Sequence, residues 1–256
     1  MFSTTEITSS EIASDNPIHQ RLLFAYIEAT KYINGNLLEV GCGIGRGLQL
    51  LTDNCAHYTA IDKNEKLIAQ LQNQYPTHTF IAENIPPFST LKENNFDFVV
   101  SFQVIEHIQN DELFVKEIHK VLKKGGKFLV TTPNKSLSLT RNPWHIREYK
   151  ANELKKLLEK YFSKVDTLGV MGNEKIMNYY EENKKSVKKF TKWDIFNLQY
   201  ILPRQVLQIP YDILNRMNRK KLQQSNIALV NDIHYSDYFL SQKPEESLDL
   251  YYICEK

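Results

Sequence analysis

The chain has 256 residues, 42% of them apolar, with 32 Lys and Arg against 30 Asp and Glu, a net charge of +2. That length suits one domain with an embellishment. No apolar run approaches the roughly 18–20 residues of a spanning helix, and the first sixteen residues hold acidic groups but no apolar stretch of a signal peptide. Cys42, Cys55 and Cys254 are too scattered for a disulfide framework or a structural zinc, so a soluble cytoplasmic protein without a metal is expected.

Nothing suggests disorder beyond about the first fifteen residues. A helix is predicted from Asn16, with Asn16 as its cap and Pro17 at its first position. Leu22, Leu23, Tyr26, Ile27 and Tyr32 make its apolar face, and Asn34-Gly35-Asn36 ends it. Leu37-Leu38-Glu39-Val40 then reads as a buried parallel strand. Glycines follow at 41, 43, 45 and 47, ahead of the helical pattern Leu48, Leu50, Leu51. A strand passing through glycines into a helix brings backbone close to a nucleotide-like ligand, with a helix N-terminus adding free N–H groups. A dinucleotide fingerprint needs glycines at i, i+2 and i+5. From Gly41 the third falls on Arg46, and from Gly43 on Leu48, so the spacing argues against a nicotinamide cofactor.

A second strand over 58–61 ends in Asp62, about twenty residues past the first glycine. Asp62 is placed to accept from ribose hydroxyls, or to cap a helix over 64–74. A third strand covers 79–82, and a fourth, Phe96–Ser101, leads into Phe102-Gln103-Val104-Ile105-Glu106-His107. Asn110 caps the next helix, whose apolar positions include Leu113, Ile118, Val121 and Leu122, and Lys123-Lys124-Gly125-Gly126 ends it. A fifth strand over 127–132 runs into Pro133-Asn134. The loop Arg141–Tyr149 follows, then a helix over 152–161 and a sixth strand near 165–170. A loop after the fifth strand opens on the carboxyl edge of the sheet, where ligands bind. His145 is therefore a candidate for activating or orienting a substrate; the alternative is that Trp144, His145 and Arg147 only order the loop, with Arg147 pairing a carboxylate.

Residues 172–222 hold eleven Lys or Arg against five Asp or Glu, so the chain's positive charge is concentrated there. Tyr179, Tyr180, Phe190, Trp193, Phe196 and Tyr200 interleave with the Lys184–Lys192 cluster. Beyond Pro203, the residues Val206, Leu207, Tyr211, Leu214 and Met217 fall on one helical face, which Pro210 should start or kink. Such a basic amphipathic segment suits a lid over a cleft, an anionic membrane surface or nucleic acid, or simply a helical cap with a solvated lysine face. The final stretch, 247–254, reads as a seventh strand.

Three strings together carry a family resemblance: Glu39-x-Gly41-x-Gly43-x-Gly45, then VIEHI at 104–108 after the fourth strand, then LKKGGKFLVTTPN at 122–134. They resemble class I S-adenosylmethionine (AdoMet) methyltransferases over about residues 17–165 and the last strand. The TPN ending is similar to that of quinone-biosynthesis O-methyltransferases, a small-molecule or lipid branch. The resemblance implies an α/β fold: a doubly wound, mostly parallel seven-stranded sheet in the order 3-2-1-4-5-7-6, with the last strand antiparallel. Residues 1–171 and 223–256 would form the AdoMet-binding core, and 172–222 a basic, aromatic-rich helical insertion acting as a lid.

The implied cofactor contacts are Glu39, Gly41, Cys42, Gly43 and Gly45 in the loop, Asp62 and Lys63 at the ribose, Asn84 and Ile85 at the adenine, and Phe102 and Gln103 at the methyl end. Asn84 stands where the family usually has an acid. Arg21 would meet the AdoMet carboxylate, unless it is only a solvated surface arginine. His107 would brace its loop or act as a base, and His145 with Gln103 would serve the acceptor. The expected activity is methyl transfer to a small-molecule or lipid-like acceptor at oxygen. Alternatives are an RNA methyltransferase, which the basic insertion favours but Ser101-Phe102-Gln103 after the fourth strand does not, and a non-catalytic AdoMet-fold subunit.

Overall fold

A computed structural model describes residues 12–192, 194 and 197–256. Most of the N-terminal stretch expected to be disordered, and the aromatic positions Trp193 and Phe196, lie outside the described residues. Within them, Ala13–Asp15 form a 3-10 turn in which Asp15 is fully buried, so order begins before residue 16.

Along the chain run α1 (Asn16–Ala29), β1 (Asn36–Val40), α2 (Leu48–Thr52), β2 (His57–Asp62), α3 (Glu65–Gln74), β3 (Thr79–Ala82) and β4 (Phe96–Phe102). After these come α4 (Asp111–Val121), β5 (Leu122–Pro133), α5 (Ala151–Leu158) and β6 (Lys164–Gly172). Four helices follow, α6 (Glu174–Thr191), α7 (Leu198–Ile201), α8 (Arg204–Ser225) and α9 (Ile227–Asn231), before β7 (Tyr238–Ser241) and β8 (Asp249–Glu255) close the sheet. The strand order is β3-β2-β1-β4-β5-β8-β6-β7. β3 through β5 run parallel; β8 pairs antiparallel with both β5 and β6, as the family resemblance implied for the last strand.

The eighth strand is the departure. Tyr238–Ser241 adds to the free edge of β6 and returns the chain from the helical segment. Four residues with one buried side chain carry little periodic signal.

Central strands read as continuous apolar runs because helices cover both faces. One core layer gathers Phe24, Tyr26, Leu48, Phe102 and Tyr251; the other gathers Leu38, Val99, Phe114, Phe128 and Tyr252. Sheet neighbours thus alternate between layers, as period-two side chains must.

Several local expectations change. Asp15, not Asn16, occupies the α1 cap position, while the Asn16 side chain donates to Val230 O at 2.8 Å and Ile233 O at 2.9 Å. Pairing Asn16 with Val230 in α9 and Ile233 just after it fastens the first helix to the end of the helical segment. Asn110 does cap α4, accepting from Leu113 N at 3.0 Å. No glycine coil ends α4, however, because β5 begins at Leu122 and a register shift between Phe96 and Phe98 accommodates the extra residues. Pro210 neither starts α8 nor ends it: the helix begins after Pro203 and continues through Pro210. Among the described residues no helix is long and apolar enough to cross a membrane.

Candidate active site

β1 delivers the chain to the carboxyl edge of the sheet, where Gly41, Gly43 and Gly45 all take positive φ, at 80°, 53° and 77°. L side chains rarely adopt that region, so glycine is required for the turn. A Cβ on Gly41 would strike Val104, but one on Gly43 would meet nothing within 4 Å. Gly43 therefore faces open space, and its backbone can be approached closely from the cleft. The loop ends in α2, which is only five residues long, and the turn is held from within: Gly41 N donates to Ile61 O at 2.7 Å and Gly45 N to Cys42 O at 2.9 Å.

Two carboxylates hold this loop. Asp62 Oδ2 accepts from Gly43 N at 2.9 Å, and its Oδ1 accepts from Asn64 N at 2.9 Å. The cap of α3 is Asn64, which accepts from Leu67 N, so Asp62 is not the helix cap. Glu39 lies beneath, almost wholly buried, with Tyr26 Oη donating to Oε1 at 2.7 Å and Tyr58 Oη to Oε2. Burial pushes its carboxyl up and the two phenols work against that. Both oxygens are thus engaged from inside the core, where Glu39 braces β1 against α1 and β2. Cys42 is buried and its thiol is pushed up by burial and by Glu39 and Asp62, which leaves it inert and makes its backbone its contribution.

Lys63 and Asn84 are exposed at the tips of β2 and β3, with Ile85 half-buried beside Asn84. Glu83 is turned away, accepting from Ser89 N at 2.8 Å and from Thr90 Oγ1 at 2.6 Å. At the end of β4 the predicted pair splits. Phe102 is a core ring, edge-on to Tyr26 at 4.9 Å, so its side chain does not line the cleft. Gln103 has φ of 59°, an uncommon setting for a residue with a Cβ that costs on the order of 1–3 kcal/mol. Gln103 N donating to Thr131 O at 3.0 Å and Nε2 donating to Thr131 Oγ1 at 3.3 Å hold it there.

Gln103 lines a cavity of about 290 Å³ whose walls include Glu106, His107, Trp144, His145 and Tyr211. Arg21 lines it too, yet it is not a free cation: Nε lies 3.0 Å from Asp249 Oδ2, a buried carboxylate that the sequence pattern gave no reason to single out. Arg21 is thus not merely a solvated surface arginine, since this contact fixes it at the cavity wall. His145 Nδ1 lies 2.7 Å from Glu148 Oε1, and Asn142 Nδ2 lies 2.8 Å from its Nε2. The carboxylate can only accept, so Nδ1 carries the proton and Nε2 accepts from the Asn142 amide. His107 is anchored at Nδ1 to Trp144 O, 3.0 Å away, and so braces the 141–149 loop. Burial and the neighbouring His145 lower His107 to about 4, and burial raises Glu106 to about 7. Arg147 does pair a carboxylate, Asp111, at 2.8 Å.

The 141–149 loop also carries the helical segment. Trp144 Nε1 donates to Asp212 at 3.1 Å, Arg141 to Gln199 O at 2.9 Å, and Arg204 to His145 O at 3.3 Å. On the far side, Asp15 accepts from Arg216 at 2.7 Å and Arg219 at 2.9 Å. Between loop and helices lies a second cavity of about 420 Å³, mostly apolar, lined by residues such as Pro143, Leu198, Leu202, Leu207 and Leu214. It shares Thr140, Val187, Tyr211, Asn215 and Asn218 with the first. The apolar face predicted for α8 therefore divides: Leu207 and Tyr211 turn to this cavity, Leu214 lines it while partly exposed, and Val206 and Met217 face solvent, as does Ile209 off that face.

A methyltransferase-domain family matches residues 38–130, the span from β1 to mid-β5. A protein of Mycolicibacterium smegmatis described as "Probable S-adenosylmethionine-dependent methyltransferase" is 37% identical over 174 residues, 65% of this chain and 67% of that one. A mitochondrial ubiquinone biosynthesis O-methyltransferase of Dictyostelium discoideum is 30% identical over 147 residues, 50% of this chain but only 41% of that one. Among solved structures, a SAM-dependent methyltransferase of Thermotoga maritima superposes with a TM-score of 0.58 at 15% identity, covering 93% of this chain and 91% of the other. The open cradle over Gly43 and the two carboxylates that fix its loop fit such a cofactor.

Proposed function

We propose that this chain, which belongs to the S-adenosylmethionine-dependent methyltransferases, methylates an oxygen of an amphipathic small molecule, one with a hydroxylated or aromatic head on an apolar tail. The observation that carries this reading is the adjoining pair of cavities, polar and aromatic beside Gln103 and apolar beyond it. When bound, AdoMet supplies a methyl group activated by its sulfonium centre.

This chain's residues bind, orient and exclude water. The turn over Gly41, Cys42, Gly43 and Gly45 lets the amino-acid end lie close against its backbone, while Asp62, with Lys63 beside it, receives the ribose. Asn84 accepts from the adenine amino group and Ile85 packs on the ring face. Gln103, fixed by Thr131, marks where the two ligands meet. Trp144, Tyr179, Tyr180 and Tyr211 give the head of the acceptor flat apolar surfaces. Asn218 Oδ1 is buried without a hydrogen-bond partner among the described residues, and it can accept from an acceptor hydroxyl. The His145–Glu148 pair orients the reacting hydroxyl, and Nε2 becomes a base once Asn142 releases it.

Residues 172–222 act as the lid: they roof both cavities and leave the methyl-transfer site dry. Exposed Val206, Ile209 and Met217, with Lys220 and Lys221 along the same helix, support peripheral contact with an anionic lipid surface. Methylation at oxygen draws support from the ubiquinone-pathway relative. Incubation with methyl-labelled AdoMet and fractionated extract of the source cells tests the reading. Label in a solvent-extractable ether is expected, and label confined to RNA overturns it.

A further inference from the structure

The C-terminal half of α8 turns polar groups inward. Tyr211, Asn215, Asn218 and Arg219 follow one another at helical spacing and all line the first cavity, while Ile213 and Met217 between them are exposed. Burial favours the opposite arrangement. Arg219 is nonetheless only 8% exposed and Asn218 5%, and a buried guanidinium is costly unless it is paired.

Asp15 supplies part of that pairing. Its Oδ1 accepts from Arg219 Nη1 at 2.9 Å, and the same carboxylate accepts from Arg216 at 2.7 Å. A guanidinium offers several N–H donors in a planar fork. The remaining donors of Arg219 make no hydrogen bond to protein among the described residues, and the side chain borders the cavity. Asp15 thus fixes the fork from behind without using it up. Tyr179 of α6 and Tyr211 line the same cavity, and the charge of Arg219 works on both phenols against the rise that burial imposes. Neutral phenols donate. Arg21, held by Asp249, borders the cavity as a second cation. The carboxylates on its wall are engaged, Glu148 by His145 and Glu106 by Thr132.

We propose that Arg219 recognises an oxyanion carried by the acceptor, so that the molecule methylated here is an acidic amphiphile with a carboxylate or phosphate between its reacting head and its apolar tail. This rests on the methyltransferase reading and on its division of the acceptor between two cavities. Tyr211, Asn215 and Asn218 border both cavities, so Arg219, next along the chain, stands where the polar chamber gives way to the apolar one. The fork can give an oxyanion two parallel N–H bonds, and the Tyr179 hydroxyl a further one. Asn218 Oδ1 can only accept, so it meets a hydroxyl of the head and not the anion. The cofactor has a carboxylate of its own, which is the other source of such a group.

Calorimetry on the full-length protein, saturated with S-adenosylhomocysteine, compares decyl phosphate and decanoate with decanol below their micelle concentrations. The acids should bind at least about tenfold more tightly than the alcohol. Arg219→Gln should cost the acids about 10–100-fold, the range for a hydrogen bond to a charged group, and leave decanol unchanged. Tyr179→Phe, which keeps the Arg219–Asp15 pair, should cost them about 3–10-fold. Equal affinity of the unaltered protein for acids and alcohol overturns the proposal, and that comparison needs no variant to fold. An acid preference that survives Arg219→Gln overturns it as well. S-adenosylhomocysteine is also compared with 5′-methylthioadenosine, which lacks the amino-acid end. If Arg219→Gln weakens only the former, the arginine serves the cofactor and its assignment to the acceptor fails. Binding of S-adenosylhomocysteine to the unaltered protein checks the methyltransferase reading separately, and its retention without any acid preference removes this inference alone.

Discussion

Asp62 Oδ2 accepts a hydrogen bond from the backbone N–H of Gly43 at 2.9 Å, joining residues nineteen apart in sequence across the mouth of the cleft. The bond ties the tip of β2 to the turn after β1 and leaves lone pairs of the carboxylate for a ligand. Asp62→Ala should therefore weaken S-adenosylhomocysteine by about 1.5–3 kcal/mol, the range for a hydrogen bond to a charged group. Calorimetry checks this, and an unchanged dissociation constant would confine Asp62 to holding the loop.

Gly43→Val should abolish cofactor binding, because its side chain would project into the open space over the turn. Its positive φ also carries a backbone cost, which needs its own control. Gly125 offers one: φ is 75°, and a Cβ there likewise meets nothing within 4 Å. Gly125→Val should lower the melting temperature by a similar amount and leave binding intact. Equal loss of binding in both variants would mean strain, not blockage, is responsible.

The lid reading predicts a split between cofactor and acceptor. Leu207→Trp should fill the apolar cavity, to which Leu207 contributes wall, with S-adenosylhomocysteine affinity unchanged. Turnover of long-tailed acceptors should fall at least about tenfold, equivalent to about 1.4 kcal/mol, while short-tailed analogues are spared. Equal loss for both acceptor lengths would remove the tail from the proposal.

Neutralising Lys184, Lys185, Lys188 and Lys189 should reduce binding to anionic vesicles, and added salt should weaken what remains. Ile209→Asp, at a position 72% exposed, should reduce it as well without lowering the melting temperature. Co-sedimentation with vesicles rich in anionic lipid is the measurement. Salt-sensitive binding to RNA and none to vesicles would favour the nucleic-acid alternative.

Asp15 gives a pH dependence of known sign. Burial works to raise its carboxyl, but Arg219 and Arg216 outweigh that and hold it below the usual range. A carboxyl depressed in the folded chain contributes stability that is present above its unfolded value of about 3.9. That stability is lost as pH falls through the lower folded value. Melting temperature should thus hold at neutral pH and fall below about pH 4. Asp15→Asn should cost on the order of 3–5 kcal/mol at pH 7, since it leaves buried guanidinium groups facing a neutral partner, and should flatten the acid slope. An unchanged slope in this variant would assign the acid sensitivity elsewhere.

The sequence by itself determined the sheet through β5 and the cofactor loop. Alternating or continuous apolar runs, bounded by glycine and asparagine, are local consequences of burial and backbone geometry. Positive φ at Gly41, Gly43 and Gly45 is of that kind, since only glycine turns a chain so sharply beside a ligand. Roles that depend on a partner far along the chain were decided by tertiary structure. That Tyr26 and Tyr58 meet the two oxygens of Glu39, and that Asp249 of β8 meets Arg21, could not be read along the chain. The convergence of Glu106, His107 and His145 could not be read either, because two adjacent residues and one 38 positions on meet only when the 141–149 loop folds back over the 3-10 turn at Ile105–His107. α8 showed the same limit: periodicity revealed an apolar stripe, but which half met the cavity and which met solvent depended on where α6 and the loop packed against it.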